Sequence, residues 1–294
     1  MARGLDHVVH AVRDLDAAAE FYRRIGFTVG ARNRHPWGTH NYIVQLPGFF
    51  VELLTIAEPE KLGDDGMSAL FGKYNETFLK RGEGLSLLLL ESKNAKADVT
   101  DFERANISAS GVVRFEREAK RPDGTPIKVG FSLAFAQDSA APSMRFATCQ
   151  QHYPENFWNP AFQNHANGAQ AVRAIVMVAD EPEKHRAFVS GYTGSTDFYV
   201  EPGEMSVMLP RGAVSVMTPA RFAAAFGGLQ PAPGSYLQAI RFAVADIAKA
   251  RSIAQEGKVK ARDHRDGFVI DAADAFGATL SFEPAAKSGQ QSKS

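Results

Sequence analysis

Apolar positions along this chain alternate between a two-residue and a helical period, and the alternation recurs. Leu5, Val8, Val9, Ala11 and Val12 form a short β-rich run, followed by Asp14 as a helix N-cap. Leu15, Ala18, Phe21, Tyr22 and Ile25 then follow at helical spacing, closed by Gly26. Residues 27–29, 41–46 and 49–56 read as strands, the last two joined by a Pro47-Gly48 turn. One unit is therefore a strand, a helix and three strands.

A similar unit starts at Ala174-Ile175-Val176-Met177-Val178-Ala179, with Asp180 as N-cap, Pro182 and Glu183 in the first turn and Gly191-Tyr192 after the helix. Another begins at residues 237–244, with a helix from Asp246 to Gly257 and returning strands at 268–271 and 279–282. The recurring Val-x-Asp of Val12-Arg13-Asp14, Val178-Ala179-Asp180 and Val244-Ala245-Asp246 aligns these three copies. A weaker copy runs from residues 85–90 through a helix near 97–105 to strands near 112–118, 128–136 and 144–151.

Four βαβββ units predict an α+β protein with mixed, strongly curved sheets. A lone four-stranded sheet with one helix leaves its concave face wet, so units are expected to pair and close a cleft. This places one domain at 1–160, with a helical insertion at 58–83, and a second at 170–284. An aromatic, Pro- and Asn-rich linker joins them over 153–168, and 285–294 is expected to be a disordered tail.

Composition narrows the function classes. The 33 basic residues are matched by 33 acidic ones with no basic cluster, which removes the electrostatic case for nucleic acid. The longest apolar runs are strand length, so no membrane partner is expected, and residues 1–5 lack the apolar core of an export signal. Cys149 is the only cysteine, which excludes an internal disulfide and suits a cytoplasmic protein.

The opening Gly4-Leu5-Asp6-His7-Val8-Val9, with Val12-Arg13-Asp14-Leu15, Phe21-Tyr22 and Gly26-Phe27, resembles the vicinal oxygen chelate superfamily of glyoxalases, bleomycin-resistance proteins and extradiol dioxygenases. His35-Pro36-Trp37-Gly38-Thr39-His40-Asn41 and Glu52-Leu53-Leu54 are similar to its glyoxalase-like branch. The resemblance implies glyoxalase-like domains and a divalent metal in the cleft of a paired-unit domain, held from the first and fourth strands of each unit. His7 and Glu52 match those positions, and an imidazole with a carboxylate suits zinc, nickel, manganese or iron. The partner unit departs from the pattern, because Leu87 stands where the second histidine is expected. Thr148, Gln150 and His152 share one face by the two-residue period, so Gln150 or His152 is the expected third ligand.

A metal there would act as a Lewis acid on two neighbouring substrate oxygens. Glu52, His40, Glu155 and His152 are the candidate proton carriers, and Trp37, His40, Asn41, Phe50 and Trp158 the candidate substrate contacts. Glu52 also stands out without the resemblance: a carboxylate amid Phe49, Phe50, Val51, Leu53 and Leu54 needs a cation, donors or a wet cleft. His10, three residues from His7, faces the other way and reads as packing; His165 reads as a turn residue, His185 and His264 as exposed, and Cys149 as buried and inert. In the second domain Arg173 and Ala239 match His7, with Glu283 the remaining carboxylate, which argues against a metal there.

Three functions remain open. One is a metal-dependent lyase, isomerase or dioxygenase acting on a small molecule with vicinal oxygens. Another is a metal-free binding protein of the bleomycin-resistance type, and the third a scaffold with a vestigial site. The resemblance also makes a homodimer an expectation.

Overall fold

Asp14 opens the first helix as its spacing predicts: its carboxylate accepts from the Ala17 amide, and the helix α1 spans Leu15–Arg24. The computed structural model describes residues 1–120, 124–232 and 236–285, so the expected tail lies, from residue 286 on, outside the described residues. The first unit comprises β1 (Leu5–Ala11), α1, β2 (Asn33–Arg34), β3 (Thr39–Leu46) and β4 (Phe49–Ile56). A π-helical turn over Ser68–Lys73 continues into α2 (Tyr74–Arg81) within the expected insertion. The second unit is β5 (Gly84–Glu91), α3 (Ala95–Arg104), β6 (Ser108–Lys120), β7 (Pro126–Ala136) and β8 (Arg145–Gln151).

A short helix α4 (Pro154–Phe157) lies in the linker. The third unit is β9 (Ala169–Val178), α5 (Arg186–Thr193), β10 (Phe198–Glu201), β11 (Glu204–Met208) and β12 (Ala213–Met217), followed by α6 (Pro219–Ala225). The fourth is β13 (Leu237–Val244), α7 (Ile247–Glu256), β14 (Arg262–His264), β15 (Gly267–Ile270) and β16 (Thr279–Pro284).

Each pair of units forms one mixed eight-stranded sheet, ordered β2-β3-β4-β1-β5-β8-β7-β6 and β10-β11-β12-β9-β13-β16-β15-β14. The first strands of the paired units meet antiparallel at the centre, and each runs parallel to the last strand of its own unit. The first sheet curls until its opposite edges touch. Arg117 of β6 donates to Asn33 of β2 at 3.0 Å, and the Trp37 and Phe115 rings stand 4.7 Å apart.

The helix-bearing faces of both sheets share one core, joining Val8 and Leu88 of the first to Ile175 and Ile240 of the second. Tyr192 of α5 donates to the carbonyls of Leu88 and Ala147 across this seam. His10 also lies there, its Nε2–H donating to the Phe276 carbonyl and its Nδ1 accepting from Tyr22; burial lowers its pKa to about 4, so the ring is neutral. Each large side chain fully buried in such a core is worth about 1.5–3 kcal/mol relative to exposure.

Three local expectations are corrected. Residues 27–29 form no strand, because Phe27 turns inward and packs 5.0 Å from both Phe242 and His165. Asp180 caps nothing with its side chain: the chain enters a 3-10 turn at Pro182 and α5 runs past Gly191 to a left-handed Gly194. Gly191 instead permits close packing, since a Cβ there would lie 2.8 Å from that of Ala105. His185 is buried against Asp138 at 2.6 Å rather than exposed.

Candidate active site

The cleft inside the first sheet is organised by an irregularity in β1. Leu5 pairs with Leu90 and His7 with Leu89, so Asp6 is an extra residue in the ladder. Such a bulge turns its side chain to the face that strict alternation would deny it. Asp6 thereby accepts from His7 Nδ1 at 2.5 Å and from Gln151 Nε2 at 3.0 Å, and bonds the Cys149 thiol. Burial, with the charges of Asp6 and Glu52, pushes the Cys149 pKa well up, so it stays a thiol.

Asp6, His7 and Cys149 offer ligand atoms within 4.8 Å of one another. Asp6 and His7 Nδ1 are engaged with each other, however, and this fixes the ring so that Nε2 faces Glu52 Oε2 at 4.0 Å. Phe50 stacks on the imidazole at 4.1 Å and 13°, which holds its plane.

Glu52 is buried, and burial raises its pKa against the opposing effects of His7 and Asn41. Asn41 donates to Glu52 Oε1 at 2.5 Å, leaving Oε2 for the His7 side. A hydrogen-bond chain leads outward from this carboxylate. Asn33 Nδ2 donates to Asn41 Oδ1 at 3.0 Å, and Arg117 donates in turn to Asn33 Oδ1.

The recess holds about 80 Å³ and is walled by Trp37, Phe50, Phe71, Phe115, Phe131 and Phe157. It adjoins an outer groove of about 510 Å³, sharing Asn33, Ile43, Arg117 and Phe157 with it. Among the predicted site residues, His7, Glu52, Trp37, Asn41 and Phe50 come together in the recess. Trp158 and Glu155 line the outer groove instead.

Gln150, His152 and His40 do not join them. Gln150 accepts from the Ala95 amide at the start of α3 at 3.0 Å, and His152 bonds Ser132 at 2.8 Å. The β8 residue facing the recess is Cys149, so Gln150 lies one position out of register on the helix side, and His152 lies beyond the end of β8. His40 binds Glu58 at 2.8 Å and Arg32 at 3.2 Å, and its strand neighbour Asn41 takes the recess face. The two-residue period carried that signal, because adjacent strand residues cannot share a face.

His35 was quoted only within the motif, yet it lines the recess, stacking on Trp37 at 4.7 Å and bonding Thr39 at 2.8 Å. Burial, then the Arg117 and His40 charges, lower its pKa to about 3.

Strand pairing shows where the second unit departs from the expected ligand pattern. Val9 pairs with Glu52 on β4, and across the central pair Leu87 and Leu89 oppose Val9 and His7. By that two-fold relation Leu87 matches His7, and Ala147, paired with Leu89, matches Glu52. The second unit presents two apolar residues where the first presents two donors.

Residues 5–193 match the family model described as "Glyoxalase-like domain". The chain belongs to this family, a branch of the vicinal oxygen chelate superfamily. Several solved structures share the glyoxalase-like fold. A hypothetical protein from Staphylococcus aureus aligns with a TM-score of 0.67 at 14% identity, over 96% of this chain and 99% of that one. A mutant of 4-hydroxymandelate synthase from Streptomyces coelicolor gives 0.53 at 11% identity, over 96% and 91%. The 2,2',3-trihydroxybiphenyl 1,2-dioxygenase from Sphingomonas wittichii strain RW1 gives 0.50 at 14%, over 96% and 91%. At these identities the likeness is one of fold alone. No curated protein matches the sequence significantly. Among the described residues no helix is long and apolar enough to cross a membrane.

Proposed function

We propose that this chain is a metal-dependent enzyme that transforms a small molecule with two neighbouring oxygens in the recess of the first sheet. The observation that carries the reading is Glu52: a buried carboxylate with one oxygen fixed by Asn41 and the other 4.0 Å from His7 Nε2. Burial raises its pKa although His7 and Asn41 oppose the rise, so its ionised form is incompletely compensated.

These residues fit a divalent ion held by two protein donors, His7 and Glu52, with the remaining positions open to solvent and substrate. A Gln150 or His152 contribution is not part of the proposal. When bound, the ion supplies Lewis-acid stabilisation of charge developing on the paired substrate oxygens. The chain supplies the rest. Asp6 fixes the His7 tautomer, Phe50 its plane, and the aromatic walls exclude water. Glu52, its pKa raised by burial, is the candidate proton carrier inside the recess. Zinc, nickel, manganese and iron all suit this donor pair, iron opening dioxygen chemistry and the others lyase or isomerase chemistry.

A second reading is a metal-free binding protein of the bleomycin-resistance type, favoured by the apolar Leu87 and Ala147 at the second-unit positions that match the two donors. Metal analysis of protein purified without chelator or histidine tag separates the two. Near-stoichiometric divalent metal, lost in both His7→Ala and Glu52→Ala, is the expected result. Protein that is metal-free and takes up none of zinc, nickel, manganese or ferrous iron leaves the binding-protein reading.

A further inference from the structure

Arg117 sits where the recess opens into the outer groove and lines both. It belongs to β6, the last strand of the curled sheet, and on the same face Phe115 points at Trp37 and His35. Among the described residues its guanidinium makes two hydrogen bonds, to Asn33 Oδ1 at 3.0 Å and to the Glu118 carbonyl at 3.4 Å. Both acceptors are neutral. Among the described residues no carboxylate lies within ion-pair distance, although the surface arginines Arg32, Arg114 and Arg186 each have one. Burial already lowers the Arg117 pKa, and its charge is felt by His35.

A partly buried cation without a counter-ion is costly in an aromatic-walled site, and a guanidinium presents its donors in a fork that fits a planar anion. Glu52 does not meet that need: His7 is the charged group acting on it, and Arg117 reaches it only through the two amides of Asn33 and Asn41.

We propose that Arg117 is the anchor for a carboxylate on the ligand, which makes the ligand an amphipathic monocarboxylate. The carboxylate sits at the neck between the two cavities. The recess beyond it has room for about five water-sized groups, enough for an oxygen-bearing head beside His7 and Glu52. The outer groove, with Ile43, Ile127, Val129, Trp158 and Phe162 on its walls, takes the apolar body. The inference deepens the proposed function by naming the substrate class of the same site, and it rests on that reading only for the role of the head.

The test uses 4-phenylbutanoate and its uncharged twin 4-phenylbutanamide as probes, with binding to the full chain measured by calorimetry at neutral pH. The carboxylate is expected to bind about thirtyfold more tightly than the amide. In Arg117→Met the two should bind alike, while Arg117→Lys restores part of the preference. Circular dichroism and melting temperature establish that the variants are folded. In His7→Ala the preference is expected to persist, so loss of the metal reading leaves this result standing. Equal binding of the two probes to the wild type, no binding of either, or a preference that survives in folded Arg117→Met overturns the assignment. Tighter binding of benzyl phosphate than of 4-phenylbutanoate also overturns the carboxylate class.

Discussion

The two sheets of this protein have the same strand order and the same bulge, yet their clefts differ in kind. In β9 the register slips between Val172 and Ala174 as it does in β1 between Leu5 and His7, so Arg173 is the counterpart of Asp6. Val176 pairs with Ser215 and Ala239 as Val9 pairs with Glu52 and Leu87. Ala174 and Ser215 therefore replace His7 and Glu52, and the sequence-based match of His7 to Arg173 is one residue out because aligning Val178-Ala179-Asp180 on Val12-Arg13-Asp14 offsets the two strands by one residue from their pairing. Arg241 replaces Leu89 and Glu283 replaces Cys149.

The consequence is electrostatic. Glu283 is held by Arg241 through two bonds of 2.7 and 2.9 Å, accepts from Ser281 at 3.0 Å, and lies 3.7 Å from Arg173. Its carboxylate is satisfied within the fold, in an open cleft of about 650 Å³. Glu52 is enclosed in a recess of about 80 Å³ and bonded to a single amide donor. One scaffold thus carries a self-neutralised cleft and one whose charge calls for a ligand, which is how a single fold hosts unrelated functions.

The largest expected effect concerns what the two halves share. His10, neutral at the seam, has a folded pKa near 4 against 6.5 when unfolded. Between those values the unfolded chain binds more protons, so stability is intact above pH 6.5 and falls as pH drops toward 4, by about 3 kcal/mol. His10→Gln should flatten that part of a denaturant-melt pH profile. An unchanged slope would mean that the seam does not exclude the charged imidazole.

A smaller effect is confined to the first cleft. Asp6→Asn keeps the shape but weakens the hold on His7 Nδ1, and should cost about 10–100-fold in metal affinity by competition with a chelating dye. Wild-type affinity in a folded Asp6→Asn protein would show that the bulged carboxylate does not orient the ligand.

The smallest expected effect is none. Grafting Ala174→His and Ser215→Glu into the second cleft of a His7→Ala background should restore no metal uptake, because Arg173 and Arg241 stand beside the grafted positions and would pair with the new carboxylate as they do with Glu283. Stoichiometric uptake by the graft would show that the donor pair alone suffices and that the surrounding arginines are immaterial.

Much of this was legible in the chain. The Val-x-Asp repeat marks three of the four units, and the strand over 49–56 appears with the expected bounds because apolar residues on both faces and a Pro47-Gly48 turn allow little else. His7, Asn41 and Glu52 follow from the family resemblance, Glu52 also from its apolar surroundings, and they lie together in the recess. His40 cannot share the recess face with its strand neighbour Asn41, because adjacent strand residues point to opposite faces. Asp6 and Cys149 were beyond that alternation, since a one-residue bulge or register shift exchanges the two faces of a strand without altering local composition. Arg117 had no local signal, as its meaning depends on β6 curling round to meet β2.

Sequence by itself determined the repeated unit, the pairing into curled sheets and the presence of a buried carboxylate beside a histidine, because periodicity and burial are local properties of the chain. Tertiary structure alone decided which donors face which, that Ala147 takes the position matching Glu52, and that Arg117 stands at the neck with no counter-ion among the described residues. Those are relations between strands distant in sequence, set by register and curvature, and a charge acquires its energy only from what surrounds it in space.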